Sequence, residues 1–214
     1  MTISEWFQLL EAQLKETPLL QWVGVSFAVA EVLLARSNRI WLYPAGIIST
    51  VIATYTLFHA ALYAESLLNI YYLVMTAYGW WSWDKRGGSA LSITYSSWTE
   101  WKIALSITAA AFVLLFAVLK LYTPSTVPIW DAWVSASAWA GMWLLARRKI
   151  ENWIFLNVSN AFAIPLLLRK DLPLYALLTI FLFVVAIQGY IKWRKIIRRQ
   201  EASEQSAKPL TPLL

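Results

Sequence analysis

Two polar stripes sit in stretches that are otherwise as apolar as hydrocarbon. In "ENWIFLNVSN", residues 151–160, Trp153, Leu156, Asn157 and Asn160 are spaced three and four apart, so on a helix they share one face. In "LYAESLLNIYYLVMTAYGWW", residues 62–81, Glu65, Asn69, Tyr72 and Thr76 do the same. An asparagine amide both donates and accepts hydrogen bonds, and an indole or phenol ring offers its face to a flat group or a cation. That is chemistry for holding a small ligand that is flat at one end and polar at the other. The same residue types also serve as glue between neighbouring helices, and the sequence leaves both uses open.

Bond-making chemistry has little to work with. The chain has one histidine, His59, and no cysteine, which excludes a multi-histidine metal site, a thiolate ligand, a cysteine nucleophile and a disulfide framework. No Walker sequence, GxGxxG or HExxH occurs, and no serine sits in a hydrolase elbow. Neither an enzyme nor a bound cofactor or metal is expected. Asn157-Val158-Ser159 matches a glycosylation sequon, but its apolar surroundings place it inside a span.

The elements that must carry these stripes follow from composition. Of 214 residues, 59% are hydrophobic and 14% charged, against roughly a quarter charged in a soluble domain. Fourteen Trp and ten Tyr suit a protein with aromatic belts at two membrane interfaces. A bilayer takes about 20 apolar residues per helix. Seven segments qualify, at about 18–35, 39–58, 62–83, 101–121, 129–146, 150–168 and 172–193, separated by RSNR, DKRGGSALSITYSS, YTPSTVP and LLRKDLP. The expected fold is an all-α membrane protein. Residues 1–17 form a segment outside the membrane, with no basic run followed by an apolar core that would mark a cleaved leader. Residues 197–214 read as a polar, disordered tail.

Lys and Arg fix the orientation. With the C-terminus inside, only Lys15, Lys120, Arg169 and Lys170 lie outside, and the other fourteen of the 18 basic residues are cytoplasmic. The net charge of +6 is then met by anionic lipid and calls for no nucleic-acid partner. Within this topology Glu65 complements a helix N-terminus, and Glu31 snorkels to the inner interface beside Arg36. Trp81 and Trp83 anchor at the interface next to Lys85 and Arg86, while Gly79 and Gly189 permit close helix packing.

The chain also resembles itself. "GWWSWDKR" (79–86) matches "GYIKWRKI" (189–196), "LYA" recurs at 62–64 and 174–176, and Trp41 and Trp153 open the middle spans of two triplets. All three offsets lie near 110. Repeat one (18–86), a linking helix (101–121) and repeat two (129–196) would give parallel repeats, a transporter architecture whose substrate sits at the repeat interface.

These residues resemble the PnuC family of vitamin-precursor transporters. "LYAESLLNIYYLVMTAYGWWSWDKR" and "ENWIFLNVSN", followed by "LYALLTIFLFVVAIQGYIKWRK", carry the likeness, which covers about residues 18–196. The resemblance implies a seven-helix 3+1+3 fold similar to an enlarged SWEET, and a homotrimer in a bacterial cytoplasmic (inner) membrane. It implies nicotinamide riboside as the small-molecule substrate, moved by facilitated diffusion and trapped by intracellular phosphorylation. The family's motif W-x-x-W-x-x-x-N falls on Trp153, Leu156 and Asn160, with Leu156 standing where the second Trp would be. Asn69 stands where riboside carriers often have Gln. On this reading Trp153 stacks on the ligand, Asn157 and Asn160 orient it, and Asn69 and Tyr72 approach from the other repeat. Thiamine, then riboflavin, are the alternative ligands, and a non-transporting seven-helix receptor is the alternative of another class.

Overall fold

The computed structural model describes residues 3–59, 63–84, 92–123 and 126–207. They form eight α-helices: α1 (Ile3–Glu16), α2 (Leu19–Arg36), α3 (Leu42–His59), α4 (Tyr63–Asp84), α5 (Trp98–Tyr122), α6 (Pro128–Ala146), α7 (Asn152–Arg169) and α8 (Pro173–Ala207). One isolated parallel bridge, Thr94 with Lys149, is the only strand-like pairing among the described residues. Each of the seven expected segments holds one of the helices α2 to α8. By length and composition alone α2, α5 and α8 are long and apolar enough to cross a membrane. Helix α7 falls short because Asn152, Asn157, Ser159 and Asn160 lower its hydropathy.

Two differences from the sequence reading concern the ends. Within the 1–17 segment Ile3–Glu16 is a helix: Gln13 on α1 donates through Nε2 to the carbonyl of Asp171 (3.0 Å), and its Oε1 accepts from the Leu174 N–H (3.3 Å), capping the start of α8. The polar tail does not begin at 197. Helix α8 continues to Ala207, because its Lys, Arg, Glu, Gln and Ala are good helix formers and extending an existing helix is far easier than nucleating one. Residues 208–214 lie outside the described ones, as do Lys85, Arg86 and the Glu65 side chain.

The helices pack in a closed order. Helix α2 packs on α3, α3 on α4, α4 on α6, α6 on α7, α7 on α8 and α8 back on α2; α5 lies outside this ring against α6, and α1 against α8. The bounds of α3, Leu42 and His59, return 110 residues later as Asn152 and Arg169 of α7. Likewise α4 starts at Tyr63 and α8 at Pro173. The left-handed residues Asn38 (φ 54°) and Arg148 (φ 59°), which close α2 and α6, stand at the same offset. Outward faces are apolar: Leu19, Val51, Val74, Val113, Leu114 and Val184 are all exposed, as suits helices facing lipid tails rather than water.

The largest buried cluster gathers Leu42, Tyr43, Trp83, Ile150, Trp153 and Trp193 at the end that holds the α2–α3 and α6–α7 turns. Trp153 meets Trp193 edge-on (5.5 Å between centroids, 85°), and Tyr43 meets Trp83 in the same way (5.9 Å, 80°). Gly189 sits under the Trp153 ring and Gly79 under the Tyr43 ring. The residue equivalent to Trp153 is therefore Tyr43 and not Trp41, which is 67% exposed. Trp83 is likewise no interfacial anchor. It is 3% exposed, because Arg148 lies on its face, the guanidinium carbon 3.8 Å from the ring centroid and 5.5 Å from that of Trp193.

Arg148 is fully buried, and Nε, Nη1 and Nη2 have no hydrogen-bond partner among the described residues. Burial draws its pKa down to about 10, against a small opposing effect of Tyr43; it remains a cation at neutral pH. Its neighbours are better served. Glu100 pairs with Arg147 (3.2 Å) and Lys149 (2.9 Å) while closing a capping box with Ser97 at the start of α5. Glu151 accepts from the Ser96 N–H (2.9 Å) and hydroxyl (2.6 Å).

Candidate functional site

The centre of the helix ring holds a cavity of about 200 Å³. Glu31, Val32 and Ala35 line it from α2, Thr50 from α3, Tyr72 from α4, Met142 and Leu145 from α6, and Trp153 and Leu156 from α7. Five helices of the ring contribute, so the cavity belongs to both triplets. It is smaller than the roughly 300–1,000 Å³ of most ligand pockets, which restricts it to a small flat group. Its wall is mostly apolar, with a carboxyl, a hydroxyl, a phenol and an indole as the polar or π-bearing groups.

Three of the residues singled out by sequence share this cavity: Trp153, Leu156 and Tyr72. Asn157 lies on the other side of Trp153, in a groove of about 530 Å³ between α7 and α8 that Trp153, Tyr190, Ile187 and Phe162 also line. Asn160 and Asn69 are half-buried and line neither space. Two other polar side chains on these helices bond to backbone: the Ser159 hydroxyl donates to the Val134 carbonyl (2.8 Å), joining α7 to α6, and that of Thr76 donates to the Tyr72 carbonyl on its own helix (2.8 Å).

Two polar atoms beside Trp153 are buried without a partner among the described residues, the Trp153 Nε1 donor and the Asn157 Oδ1 acceptor. Buried groups of this kind are usually satisfied in proteins, so they are free to serve a ligand. Trp153 itself is held firmly: it is 1% exposed, clamped between Gly189 below and Trp193 at its edge.

Three residues join the site or its supports that the sequence reading did not place there: Glu31, Thr50 and Tyr71. The expected pairing of Glu31 with Arg36 does not form, because Arg36 donates instead to the Gln188 side chain on α8. The Glu31 carboxylate rests against Gly46, where an added Cβ would lie 2.5 Å from Oε1. The spacing of Glu31 and Arg36, five residues, puts them on different faces of a helix, which is the signal that the sequence offers. Tyr71 stacks on Trp139 (4.3 Å, 20°) and donates to its carbonyl (2.9 Å), joining α4 to α6.

The two triplets fill equivalent places in opposite ways. Glu31 of α2 rests on Gly46 of α3; 110 residues on, Gly141 of α6 supports Leu156 of α7, an added Cβ there lying 2.9 Å from the leucine. The large side chain comes from the first helix of one triplet and the second helix of the other, and both line the cavity.

Comparison with known proteins agrees with this architecture. Residues 18–195 match the model of a family described as "Nicotinamide mononucleotide transporter". The chain is 22% identical over 204 residues to the nicotinamide riboside transporters PnuC of Escherichia coli (strain K12) and Shigella flexneri, covering 81% of this chain and 85% of each relative. A solved structure described as "Crystal structure of the Vitamin B3 transporter PnuC" superposes with a TM-score of 0.69 at 20% identity, over 91% of this chain and 88% of the other. The helix order thus has a counterpart in a solved fold, and the chain belongs to the nicotinamide mononucleotide transporter family.

Proposed function

We propose that the protein takes up nicotinamide riboside across a bacterial cytoplasmic membrane, binding it in the cavity enclosed by the helix ring. The observation that carries this reading is the meeting of Trp153 and Tyr72, one from each triplet, on one small, mostly apolar space. Nicotinamide riboside has a flat pyridinium cation, a carboxamide and ribose hydroxyls. An indole face attracts the cation. Asn157, with Oδ1 unpartnered among the described residues but facing the groove on the other side of Trp153, would accept from the carboxamide or a hydroxyl only once the helices shift. Asn160 and Asn69 would engage the ribose once the helices shift, and Leu156 supplies an apolar wall.

Helices α2–α4 and α6–α8 act as two parallel repeats joined by α5, a 3+1+3 arrangement similar to an enlarged SWEET, with the N-terminus outside and the C-terminus inside. The 110-residue shift of helix bounds and the bias of Lys and Arg support this. The protein works as a homotrimer, with one path in each protomer. Movement is facilitated diffusion, since the spans hold no chain of carboxylates or histidines to relay protons. A cytoplasmic kinase that phosphorylates the riboside would keep it inside.

The family description names the mononucleotide, whereas the relatives' names carry the riboside. Among the described residues no Lys or Arg lines the cavity, and Glu31 does. A phosphate dianion would be repelled there, which favours the riboside. Purified protein in liposomes, without any ion gradient, should take up labelled riboside until inside and outside concentrations are equal. Uptake of thiamine with none of the riboside would overturn the ligand, and accumulation driven by a proton or sodium gradient would overturn the mechanism.

A further inference from the structure

A carboxylate in the middle of a membrane protein needs a reason, because an uncompensated charge there is expensive. Glu31 has no ion-pair partner among the described residues. Its nearest basic neighbour in sequence, Arg36, is engaged by Gln188. The rest of the cavity offers it a hydroxyl at Thr50 and a phenol at Tyr72, and otherwise only apolar walls and the Trp153 indole. The fold makes room for this carboxylate. At Gly46 a methyl group would lie 2.5 Å from Oε1, 2.6 Å from Cδ and 3.0 Å from Oε2, so any larger residue would displace it. At the equivalent place in the other triplet, glycine supports a leucine. The two repeats thus place one acid on one side of the cavity and no counterpart on the other.

We propose that Glu31 is the counter-ion of the substrate's cationic ring and sets the selectivity for positively charged over neutral ligands of the same shape. This rests on the reading of the cavity as a nicotinamide riboside site. The ring would lie with Trp153 at its face and the Glu31 carboxylate near its positive nitrogen, which gives the carboxylate the partner it lacks. Coulomb attraction is strong where water is excluded, whereas a neutral ring leaves the carboxylate unpaired and gains nothing from it. Selectivity is then a difference of affinities, carried by a residue outside the tryptophan stripe.

The test is a thermodynamic cycle. Isothermal calorimetry on protein in lipid nanodiscs would measure binding of nicotinamide riboside and of its reduced dihydro form, which keeps the ribose and carboxamide but has no charge. The wild type should prefer the cation by tenfold or more. Glu31→Gln keeps the shape over Gly46 and should reduce that preference at least tenfold, mainly by weakening the cation, while Glu31→Asp should retain most of it. The cycle separates the carboxylate from the cation–π contribution of Trp153, which is absent for the neutral ligand in wild type and variant alike. An unchanged ratio in Glu31→Gln overturns the proposal and leaves the riboside site standing. Should Glu31→Gln fail to fold, equal affinity of the wild type for both forms still refutes a counter-ion, and Glu31→Ala takes the place of Glu31→Gln in the cycle. Binding of neither form by the wild type removes the riboside reading, and this inference with it.

Discussion

Gly189→Ala tests whether the Trp153 indole is a ligand wall. A Cβ at Gly189 would lie 2.6 Å from two ring carbons of Trp153 and 2.8 Å from a third. Carbon atoms pack comfortably at about 3.5–4.0 Å, so the indole must retreat by about 1 Å, and its edge-on packing with Trp193 leaves it little room. Overpacking of this kind costs about 1–3 kcal/mol, partly offset by the roughly 1 kcal/mol that alanine gains over glycine in a helix. If the ring's position governs binding, a stacking energy reduced by about 1–2 kcal/mol weakens the ligand roughly tenfold. Gly79→Ala is the matched control: its Cβ would lie 2.5 Å from the Tyr43 ring, at the equivalent place, but Tyr43 does not line the cavity. Both variants should melt a few degrees below the wild type, as expected for a chain of this size. Only Gly189→Ala should bind nicotinamide riboside about tenfold more weakly by calorimetry. Wild-type affinity in Gly189→Ala, or an equal weakening in Gly79→Ala, would refute the assignment of Trp153.

Trp153→Phe should keep the fold and weaken the riboside about tenfold, whereas Trp153→Ala opens a core cavity costing about 3–5 kcal/mol and should fail thermal-stability screening. Leu156→Trp adds a second aromatic wall worth about 0.5–2 kcal/mol to a cation, so calorimetry should show the riboside binding up to about tenfold more tightly. Ser159→Ala removes the hydroxyl bond to Val134 and should lower stability by about 1 kcal/mol with affinity unchanged; weaker binding would place Ser159 in the site. A cysteine at Gln8 should react with an impermeant maleimide on intact cells and one at Ser203 should not, the reverse pattern inverting the orientation.

The helices are legible in the sequence because apolar runs of span length, broken by RSNR or LLRKDLP, leave the backbone little choice. The stripe through Trp153, Leu156 and Asn157 is legible for the same reason, since a helix fixes which residues share a face. What depends on other helices is hidden. Asn157 and Leu156 sit on the two sides of Trp153, a division that only the packing of α8 against α7 creates. Glu31 reads as a surface acid beside Arg36 until Gln188 of α8 takes the arginine. The match of Trp41 to Trp153 fails because the repeat keeps a ring over a glycine and lets its chemistry drift from Tyr43 to Trp153. Helix α1 has no apolar run of span length in its 14 residues, and the docking of Gln13 onto α8 leaves no mark in the sequence.

Arg148 has a consequence for how the molecule opens. Its three guanidinium nitrogens are buried and unbonded to any described residue, and a buried group left unpaired gives up about 1–3 kcal/mol of hydrogen bonding. The Trp83 face returns about 2 kcal/mol at most for a desolvated cation. The plug of aromatic rings at the turn end therefore encloses a centre that water would wet favourably. A first water reaching the guanidinium offsets part of the cost of parting Trp83 from Trp193, so the barrier to hydration falls as opening proceeds. In a gate built from leucines alone each increment of separation would cost more than the last. With an arginine at its heart such a seal would act more like a latch, tight while closed and self-releasing once breached.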